Sequence, residues 1–322
     1  MTTGRARRFL AVLWILVIGV VRGGAATFIT ADLDLRYRYR GYTDHRAGVE
    51  ALGLGVRQVF ADAAGDRFTL FAFAQARHDF SEEMVEQLYA LYKGPLGAWV
   101  VTVGRFTVPF GLLPNYQTER LLLKTLEDAT LGMLTDSGVM LSGVVHDFDY
   151  AVSLSQGVGV SGWRAVHGSG LVSGRFGWQG TDDQALRLGV SAAYGVTVPD
   201  TMHGGGHGVV HGAHDRRLIA VDAIKYSGTR VFRAEIAGGT VDAEPFFGAF
   251  WGVDVGVAPA VDLSVGHRYV YHGAERAFAV IGGFSFNNVF GFQVRAAQEY
   301  IFIGEGTHEL TVQVYRAVAF GR

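Results

Sequence analysis

The sequence predicts an all-β protein, a transmembrane antiparallel β-barrel of about sixteen strands, with fourteen as the next best number. Three observations lead to this prediction. Apolar and polar residues alternate along most of the chain, the prolines stand between the alternating stretches, and the connections between those stretches sort by length. Alternation with a period of two is the pattern of a strand that has one apolar and one polar face.

The alternating stretches are long. In the first of them, Asp32, Asp34 and Arg36 fall on one face, and Leu33 and Leu35 fall on the other. Such stretches exceed the average soluble strand of about 5–6 residues and match the roughly 9–11 residues of a tilted membrane-spanning strand. The predicted strands are residues 29–40, 49–60, 67–78, 84–93, 98–108, 137–145, 148–156, 170–179, 185–196, 217–226, 230–239, 246–257, 261–271, 276–285, 290–302 and 309–320.

The prolines and the connections support this division. All six prolines fall in connections or at strand edges, as a ladder of backbone hydrogen bonds requires. The three longest connections, near 109–136, 157–169 and 197–216, are all odd-numbered, whereas the even-numbered ones are tight turns. Outer-membrane barrels have short turns at one end and long loops at the other. We therefore expect the polar faces to point into a lumen and the apolar faces into lipid.

The N-terminus has the pattern of an export signal. Arg5, Arg7 and Arg8 precede an apolar run of 13 residues, 9–21, and Arg22 and four small residues, ending at Ala26, follow it. A helix of that length rises about 20 Å, which is shorter than the roughly 30 Å hydrocarbon core of a bilayer. We therefore interpret residues 1–26 as a cleaved signal peptide rather than an anchor, and residues 27–322 as the mature barrel.

Composition excludes several functions. The chain has no cysteine, so disulfides, thiolate metal sites and covalent haem attachment are excluded. Without residues 1–26 it would keep 24 basic and 30 acidic residues, a net charge of −6. Nucleic acid is therefore not an expected partner.

The long connection 109–136 interrupts the strand pattern. Leu122, Leu126 and Ala129 recur at helical spacing, which predicts a short amphipathic helix. Its leucines argue against disorder, and a loop of this length usually has a function. We expect this third external loop to fold inward and narrow the lumen; the alternative is an external cap or a contact with a neighbouring subunit. The charged candidates on this constriction loop are Glu119, Arg120, Lys124, Glu127 and Asp128.

The segment VGRFTVPFG, residues 103–111, resembles the Gly-Arg-Phe-x-x-Pro-Phe-Gly signature of the phosphate-selective porin group, the porin O/P-like channels of the outer membrane. The resemblance implies a signal peptide, about sixteen strands, a third loop folded into the lumen, and a homo-oligomer in the form of a trimer. Members that select phosphate use many lysines, but this chain is shorter and has only three. The resemblance therefore implies the architecture and a porin role rather than phosphate selectivity.

Arginines recur on the polar faces of the predicted strands. They predict a basic, pore-lining wall that raises the local concentration of anions. The alternative is that each arginine pairs with a lumen acid, and the near balance of the two signs favours this alternative. A third hypothesis sets the arginines against the acids of the constriction loop, across the lumen. The arginines are Arg36, Arg38, Arg40, Arg57, Arg77, Arg105, Arg187, Arg233, Arg268 and Arg295, and the acids are Asp34, Glu50, Glu86, Glu235, Asp254, Asp262 and Glu299.

Histidines offer only weak metal candidates. His203, His207, His211 and His214 stand in a glycine-rich connection, which favours a flexible loop over a metal site with defined geometry. Neither G-x-S-x-G nor H-E-x-x-H occurs. His78, His146 and His267 are interpreted as residues of the rim or girdle.

The sequence thus predicts an outer-membrane porin for passive diffusion of small hydrophilic or ionic solutes. Its expected partners are the lipid bilayer and those solutes, with no cofactor, no resident metal and no enzymatic activity. Two alternatives stay open, which are a barrel that serves as a scaffold or sheath for a partner protein, and an outer-membrane hydrolase.

Overall fold

The structure is a computed structural model that describes residues 26–41, 44–63, 65–78, 82–115, 125–162, 168–180, 186–198, 212–302 and 306–321. Except for Ala26, the predicted signal peptide lies outside the described residues. Among those residues, no helix has the length and hydropathy needed to cross a membrane.

Sixteen strands form the fold. They are β1 (Ala26–Arg40), β2 (Asp44–Asp62), β3 (Gly65–Arg77), β4 (Glu82–Lys93), β5 (Val100–Thr107), β6 (Thr135–Val145), β7 (Phe148–Ser155), β8 (Gly170–Gln179), β9 (Leu186–Thr197), β10 (His214–Ser227), β11 (Arg230–Val241), β12 (Glu244–Ala258), β13 (Val261–His272), β14 (Glu275–Val289), β15 (Phe292–Phe302) and β16 (Thr307–Gly321). Among the residues that the structure describes, helical structure is limited to α1 (Glu127–Thr130) and to three-residue 3-10 turns at Pro95–Gly97, Leu113–Asn115 and Gly159–Ser161.

Every strand pairs antiparallel with its neighbours in sequence, and β1 pairs with β16 to close the barrel. In this last pair Phe28 lies opposite Gly321, and Arg40 lies opposite Glu309. Closure leaves no unpaired sheet edge, which is the condition for placing strands in hydrocarbon.

The predicted strands are confirmed one by one, and the alternative of fourteen strands is wrong. The largest difference in bounds is at β2, which was expected from residue 49 and begins at Asp44. Gly48 interrupts the period-two pattern, so the alternation did not indicate the first five residues of this strand, 44–48.

The connections also sort as expected. The three longest, 108–134, 156–169 and 198–213, follow β5, β7 and β9 and therefore lie at the same end of the barrel. At the other end no connection exceeds the six residues of 94–99 and 180–185. We call these the long-loop end and the short-turn end.

The two faces of the wall differ as the alternation predicts. Large apolar side chains are exposed on the outside, for example Leu154 at 65% and Ile219 at 67%, where a bilayer would cover them. Charged side chains such as Asp34 and Arg295 are buried on the lumen side, at 2% and 5% exposure. The barrel therefore has a largely apolar outer surface, and its lumen carries charged residues such as these.

Two adjacent glycines of β14 give a matched test of the wall. A Cβ at Gly283 would lie 2.5 Å from the carbonyl oxygen of Ala296, whereas a Cβ at Gly282 would meet nothing within 4 Å. We expect Gly283→Ala to lower the free energy of unfolding by about 1–3 kcal/mol through overpacking. Gly282→Ala should leave that free energy nearly unchanged. Urea unfolding of the refolded barrel in liposomes, followed by tryptophan fluorescence, measures both variants, and equal effects would contradict this account.

Candidate functional site in the lumen

The inward loop begins where β5 ends, and the structure describes its residues 108–115 and 125–134. Gly104 has φ +127°, and a Cβ there would lie 2.2 Å from the carbonyl oxygen of Leu88. Gly111 has φ +55°, and a Cβ there would lie 2.2 Å from Oε1 of Glu235. Both glycines of the VGRFTVPFG segment therefore stand where the backbone has a left-handed conformation and where another part of the chain approaches closely.

The loop packs into the lumen through apolar side chains. Val108, Phe110, Leu112, Leu126 and Leu131 are all fully buried. They form one hydrophobic cluster with apolar side chains of the barrel wall. The wall residues of that cluster are Leu171, Ala193, Leu218, Ala220, Ile224, Ala237, Val241, Phe246, Phe250, Ile281 and Ala297. The prediction of an inward third loop is confirmed, and the loop fills its side of the lumen with a packed core.

Polar contacts fix the first half of the loop to the wall. The N–H of Gly111 donates to Oγ of Ser191 at 3.0 Å, and the N–H of Leu112 donates to Oε2 of Glu235 at 3.4 Å. Arg175 donates through Nε to the carbonyl oxygen of Gly111 at 3.1 Å. These contacts attach the turn at residues 111–112 to three different strands, β8, β9 and β11.

Arg175 is held in turn by two acids. Its Nη2 lies 2.7 Å from Oδ1 of Asp222, and its Nη1 lies 2.8 Å from Oδ1 of Asp149. Arg175 and Asp222 are both buried, with side-chain exposures of 4% and 1%. A buried charge is tolerated when it is paired and hydrogen-bonded, as this group is.

Two further arginines hold the second half of the loop. Arg216 donates to the carbonyl oxygen of Thr130 and, at 3.4 Å, to that of Ala129. Arg268 donates to the carbonyl oxygen of Thr125 at 3.2 Å. Of the predicted amphipathic helix, the described residues show the single turn α1, which presents the carbonyls of Ala129 and Thr130 to Arg216.

The first residues of the connection after β7, 156–162, also lie inside the barrel. The carboxylate of Asp136, which is fully buried, accepts the N–H groups of Gly157, Val158 and Gly159. Val158 is itself buried at 2% exposure. The carboxylate at the start of β6 therefore ties the first residues of a second loop to the wall.

Arg105, the arginine of the VGRFTVPFG segment, lies beneath this second loop. It donates to the carbonyl oxygens of Val160 and Gly162, and to that of Val85 at 2.8 Å. Only 1% of Arg105 is exposed. Its guanidinium therefore binds backbone carbonyls.

Four of the predicted lumen arginines form ion pairs. The pairs are Arg36 with Asp34 at 2.7 Å, Arg38 with Glu50 at 2.8 Å, Arg268 with Glu299 at 3.5 Å, and Arg233 with Asp254. The pairs at Asp34 and Glu50 lie on β1 and β2. The pairs at Glu299 and Asp254 lie across β13–β15 and β11–β12. This arrangement is the pairing of arginines with lumen acids that the charge balance favoured.

Three other predicted arginines lie over aromatic rings. The guanidinium carbon is 5.8 Å from the ring centre of Phe71 for Arg57, 5.7 Å from Tyr226 for Arg187, and 5.9 Å from Tyr315 for Arg295. Two of the remaining predicted residues are arginines: Arg77 donates a hydrogen bond to Gln75 at 2.7 Å, and Arg40 lies opposite Glu309 in the β1–β16 register. The other two are acids: Glu86 is buried at 4% exposure, and Asp262 accepts a hydrogen bond from Asn287 at 2.6 Å.

Several predicted residues cannot be placed. Arg120, Glu119 and Lys124 lie outside the described residues, as do His203, His207 and His211 and the side chain of Asp128. Glu127 is the first residue of α1. The transverse-field and metal-binding hypotheses therefore stay predictions. Within the described ranges, no three His, Asp or Glu side chains converge as a metal site.

The remaining histidines lie apart from the inward loop. His78 Nδ1 is 3.9 Å from Oε1 of Glu50, and His146 occupies the short turn between β6 and β7. His267 lies on the outer face, with ring centres 5.3 Å from Trp251 and 5.5 Å from Phe278.

At the long-loop end, His214 contacts the carboxylate of Asp242 through Nδ1. Asp242 also accepts the N–H of Asp215 at 2.9 Å. Burial raises the pKa of Asp242, but the hydrogen bonds from His214 and from the Asp215 N–H outweigh burial and hold the pKa below its usual value. The carboxylate therefore stays ionised and fixes the orientation of the imidazole.

Sequence reasoning missed Arg175, Arg216, Asp222 and Asp136. Arg175 lies on the lumen face of an alternating strand, and the period-two pattern contained that information. Asp136 gave no such signal, because it stands at the junction between a loop and a strand.

The comparison with solved structures identifies the fold. OmpT of Vibrio cholerae superposes with a TM-score of 0.70 at 13% identity, over 93% of this chain and 100% of that chain. The anion-selective porin from Comamonas acidovorans superposes with a TM-score of 0.68 at 12% identity, over 91% of this chain and 100% of that chain. The in-vitro folded trimer form of the Vibrio cholerae OmpT superposes with a TM-score of 0.69 at 13% identity, over 91% of this chain and 100% of that chain. No protein-family model matches the sequence, and the search of curated proteins gives no match. The chain has the sixteen-strand fold of bacterial outer-membrane barrels of the porin type.

Gly111 provides a test of the loop's position. Gly111→Ala brings a Cβ against Glu235, whereas Gly41→Ala has a similar φ of +61° with nothing within 4 Å of the added Cβ. Both variants carry the cost of a left-handed alanine, so their difference isolates the contact with Glu235. We expect Gly111→Ala to be less stable by a further 1–3 kcal/mol or so, measured by urea unfolding. An equal loss in both variants would place the loop elsewhere.

Arg175 provides a second test. Arg175→Met leaves Asp222 buried without its cation, and removing one partner of a buried ion pair costs about 3–5 kcal/mol. Arg217, on the outer face, pairs with Asp215 at 3.1 Å but its side chain is 60% exposed. Arg217→Met should therefore cost about 1 kcal/mol or less. Equal unfolding free energies for the two variants would show that Arg175 does not hold the loop.

Proposed function

We propose that the protein is an outer-membrane porin through which small hydrophilic or ionic solutes diffuse passively. The observation that carries this proposal is the placement of the inward loop. Its apolar side chains pack against the wall formed by β8 to β12, β14 and β15, where they complete a hydrophobic core. The solute path then runs along the walls opposite, which carry charged side chains.

Ions of both signs line that path. The side chains of Arg36 and Arg38 are 21% and 31% exposed, and that of Glu50, which pairs with Arg38, is 17% exposed. Paired ions remain hydrated and present both donors and acceptors to a passing solute. The path therefore suits small polar solutes of either sign better than it suits one selected ion.

The structural neighbours support the porin role at the level of fold. One of them is described as an anion-selective porin, and another as a trimer form. We propose a homotrimer for this chain as well, in accordance with the resemblance of residues 103–111 to the phosphate-selective porin group. We propose that this chain shares with that group the architecture of its third loop. We do not extend the proposal to phosphate selection, which would call for more than three lysines.

The hydrolase alternative would need a nucleophile beside a histidine–carboxylate pair. His214 and Asp242 form a histidine–carboxylate pair, and Thr197 lies opposite His214 in the ladder. The Thr197 hydroxyl accepts a hydrogen bond from Nε of Arg216 at 2.7 Å, which holds it away from a role as nucleophile. We therefore propose that this pair is structural and that the chain is not an enzyme.

Single-channel recording of the refolded mature protein in a planar bilayer tests the porin proposal. We expect discrete conductance steps in KCl. Leu126→Gln places an amide in the loop core, where burying an unpaired polar group is unfavourable. This variant should release the loop from the wall and increase the conductance of each step.

Leu96→Gln is the control, because Leu96 is fully exposed in the turn between β4 and β5. It should conduct like the parent protein. A barrel that inserts but stays silent, in both the parent and the Leu126→Gln variant, would favour the scaffold alternative over the porin.

A further inference from the structure

Three lumen arginines differ from the others in their partners. Within the described part of the chain, Arg57, Arg187 and Arg295 have no carboxylate within 4.0 Å, and each lies over an aromatic ring instead. Arg295 is buried, with hydrogen bonds to Gln293 and Gln313, and Arg187 is half-buried. Arg57 is the exposed member of the three.

Arg57 belongs to a row of aromatic residues on four adjacent strands. In the register, Phe28 of β1 lies opposite Arg57 of β2, Arg57 opposite Phe71 of β3, and Phe71 opposite Tyr89 of β4. Adjacent strands are about 4.7–4.9 Å apart, so the four side chains are neighbours. The rings of Phe71 and Tyr89 lie 5.2 Å apart at 36°. We call these four residues the arginine–aromatic row.

The row faces the lumen. Phe28 has the same parity in β1 as Asp34, whose carboxylate accepts a hydrogen bond from Gln313 inside the barrel. A Cβ at Gly53 would touch both Asp32 and Phe73, which places the even positions of β1 and the odd positions of β3 on one face. Barrel interiors are normally polar, so an aromatic row there calls for a reason.

The row is accessible. Phe28 is 42% exposed, and Phe71 and Tyr89 are each half-buried. The row lies towards the short-turn end, five residues before the end of β2 and two after the start of β1. The hydrogen bonds of the inward loop are to β8, β9, β10, β11 and β13, on other parts of the wall.

The chemistry of the row fits one kind of solute. A guanidinium offers a planar fork of donors that matches a carboxylate, and the rings beside it offer stacking surfaces for another planar ring. An inorganic anion would use the fork but not the rings, and a neutral sugar would use the rings but not the charge. We propose that the arginine–aromatic row is a binding subsite for small aromatic carboxylates, which pass it on their way through the barrel. This inference rests on the proposed porin function and names a class of solute for it.

Current block in single-channel recordings tests the proposal, with benzoate as the probe. Cyclohexanecarboxylate has the same charge without a planar ring, and benzyl alcohol has the ring without the charge. We expect benzoate to block the KCl current at lower concentrations than either compound. Arg57→Gln should weaken the benzoate block about tenfold or more, because it removes a charge-assisted pair of hydrogen bonds. Phe71→Leu should weaken the benzoate block and leave the weak block by cyclohexanecarboxylate unchanged.

Arg316→Gln is the matched control. Arg316 lies over the ring of Phe292 at 5.0 Å, but on the outer face of the barrel, so its removal should not affect the block. Equal block by benzoate and cyclohexanecarboxylate, or a benzoate block that Arg57→Gln leaves intact, would overturn the subsite. If the parent protein shows no conductance steps, the porin proposal fails by itself. Calorimetric titration of the refolded barrel with benzoate then decides the subsite, and the absence of binding, or binding that survives Arg57→Gln, overturns it.

Discussion

Pairing between the first and last strands is the constraint on which the rest of the structure depends. Backbone N–H and C=O groups find no partner in hydrocarbon, so a sheet that crosses a membrane has to close. Here β1 closes against β16 along thirteen residue pairs, and the carboxylate of Asp34 accepts a hydrogen bond from Gln313 across the seam. Once the sheet is closed, every strand has a defined lumen face. The positions of the inward loop, of the ion pairs and of the arginine–aromatic row all follow from that assignment of faces.

Within the closed wall, two kinds of interior coexist. On one side the loop excludes water, and the wall carries alanine, leucine and phenylalanine as the interior of a soluble protein would. The charges there are buried. Arg175, which pairs with Asp222, binds a backbone group of the loop, and Glu235 and Arg216 do the same. On the other side the side chains of Arg36, Arg38 and Glu50 are partly exposed. The same alternating strands therefore supply both a packed core and a polar surface. A packed core is present where the loop contacts the wall, and a polar surface is present elsewhere.

Period-two alternation was sufficient to predict the sixteen strands, because lipid outside requires an apolar residue at every second position. Connection length together with the leucines of residues 109–136 favoured the inward loop over an external cap. The roles of individual lumen residues were less accessible. In β10, Leu218, Ile219, Ala220 and Val221 are apolar on both faces, so the sequence gave no indication that the lumen face there meets a loop. In the sequence, Arg105 did not differ from the other arginines assigned to the lumen. Its hydrogen bonds to the carbonyl oxygens of Val160 and Gly162 depend on the fold of residues 156–162, which the sequence did not reveal. Residues that act through a distant loop leave no local pattern in the sequence.

The number of residues that separates each pair of hydrogen-bonded residues has a consequence for the order in which the barrel assembles. Gly111 reaches Ser191 across 80 residues and Arg268 reaches Thr125 across 143, whereas Asp34 and Gln313 at the seam are 279 residues apart. The entropy lost in joining two points of a chain grows with the length between them, and distant contacts form slowly. The loop core therefore needs only β5 to β15, and we expect it to form on an open, curved sheet. We expect the seam between β1 and β16 to close last, after this core has formed.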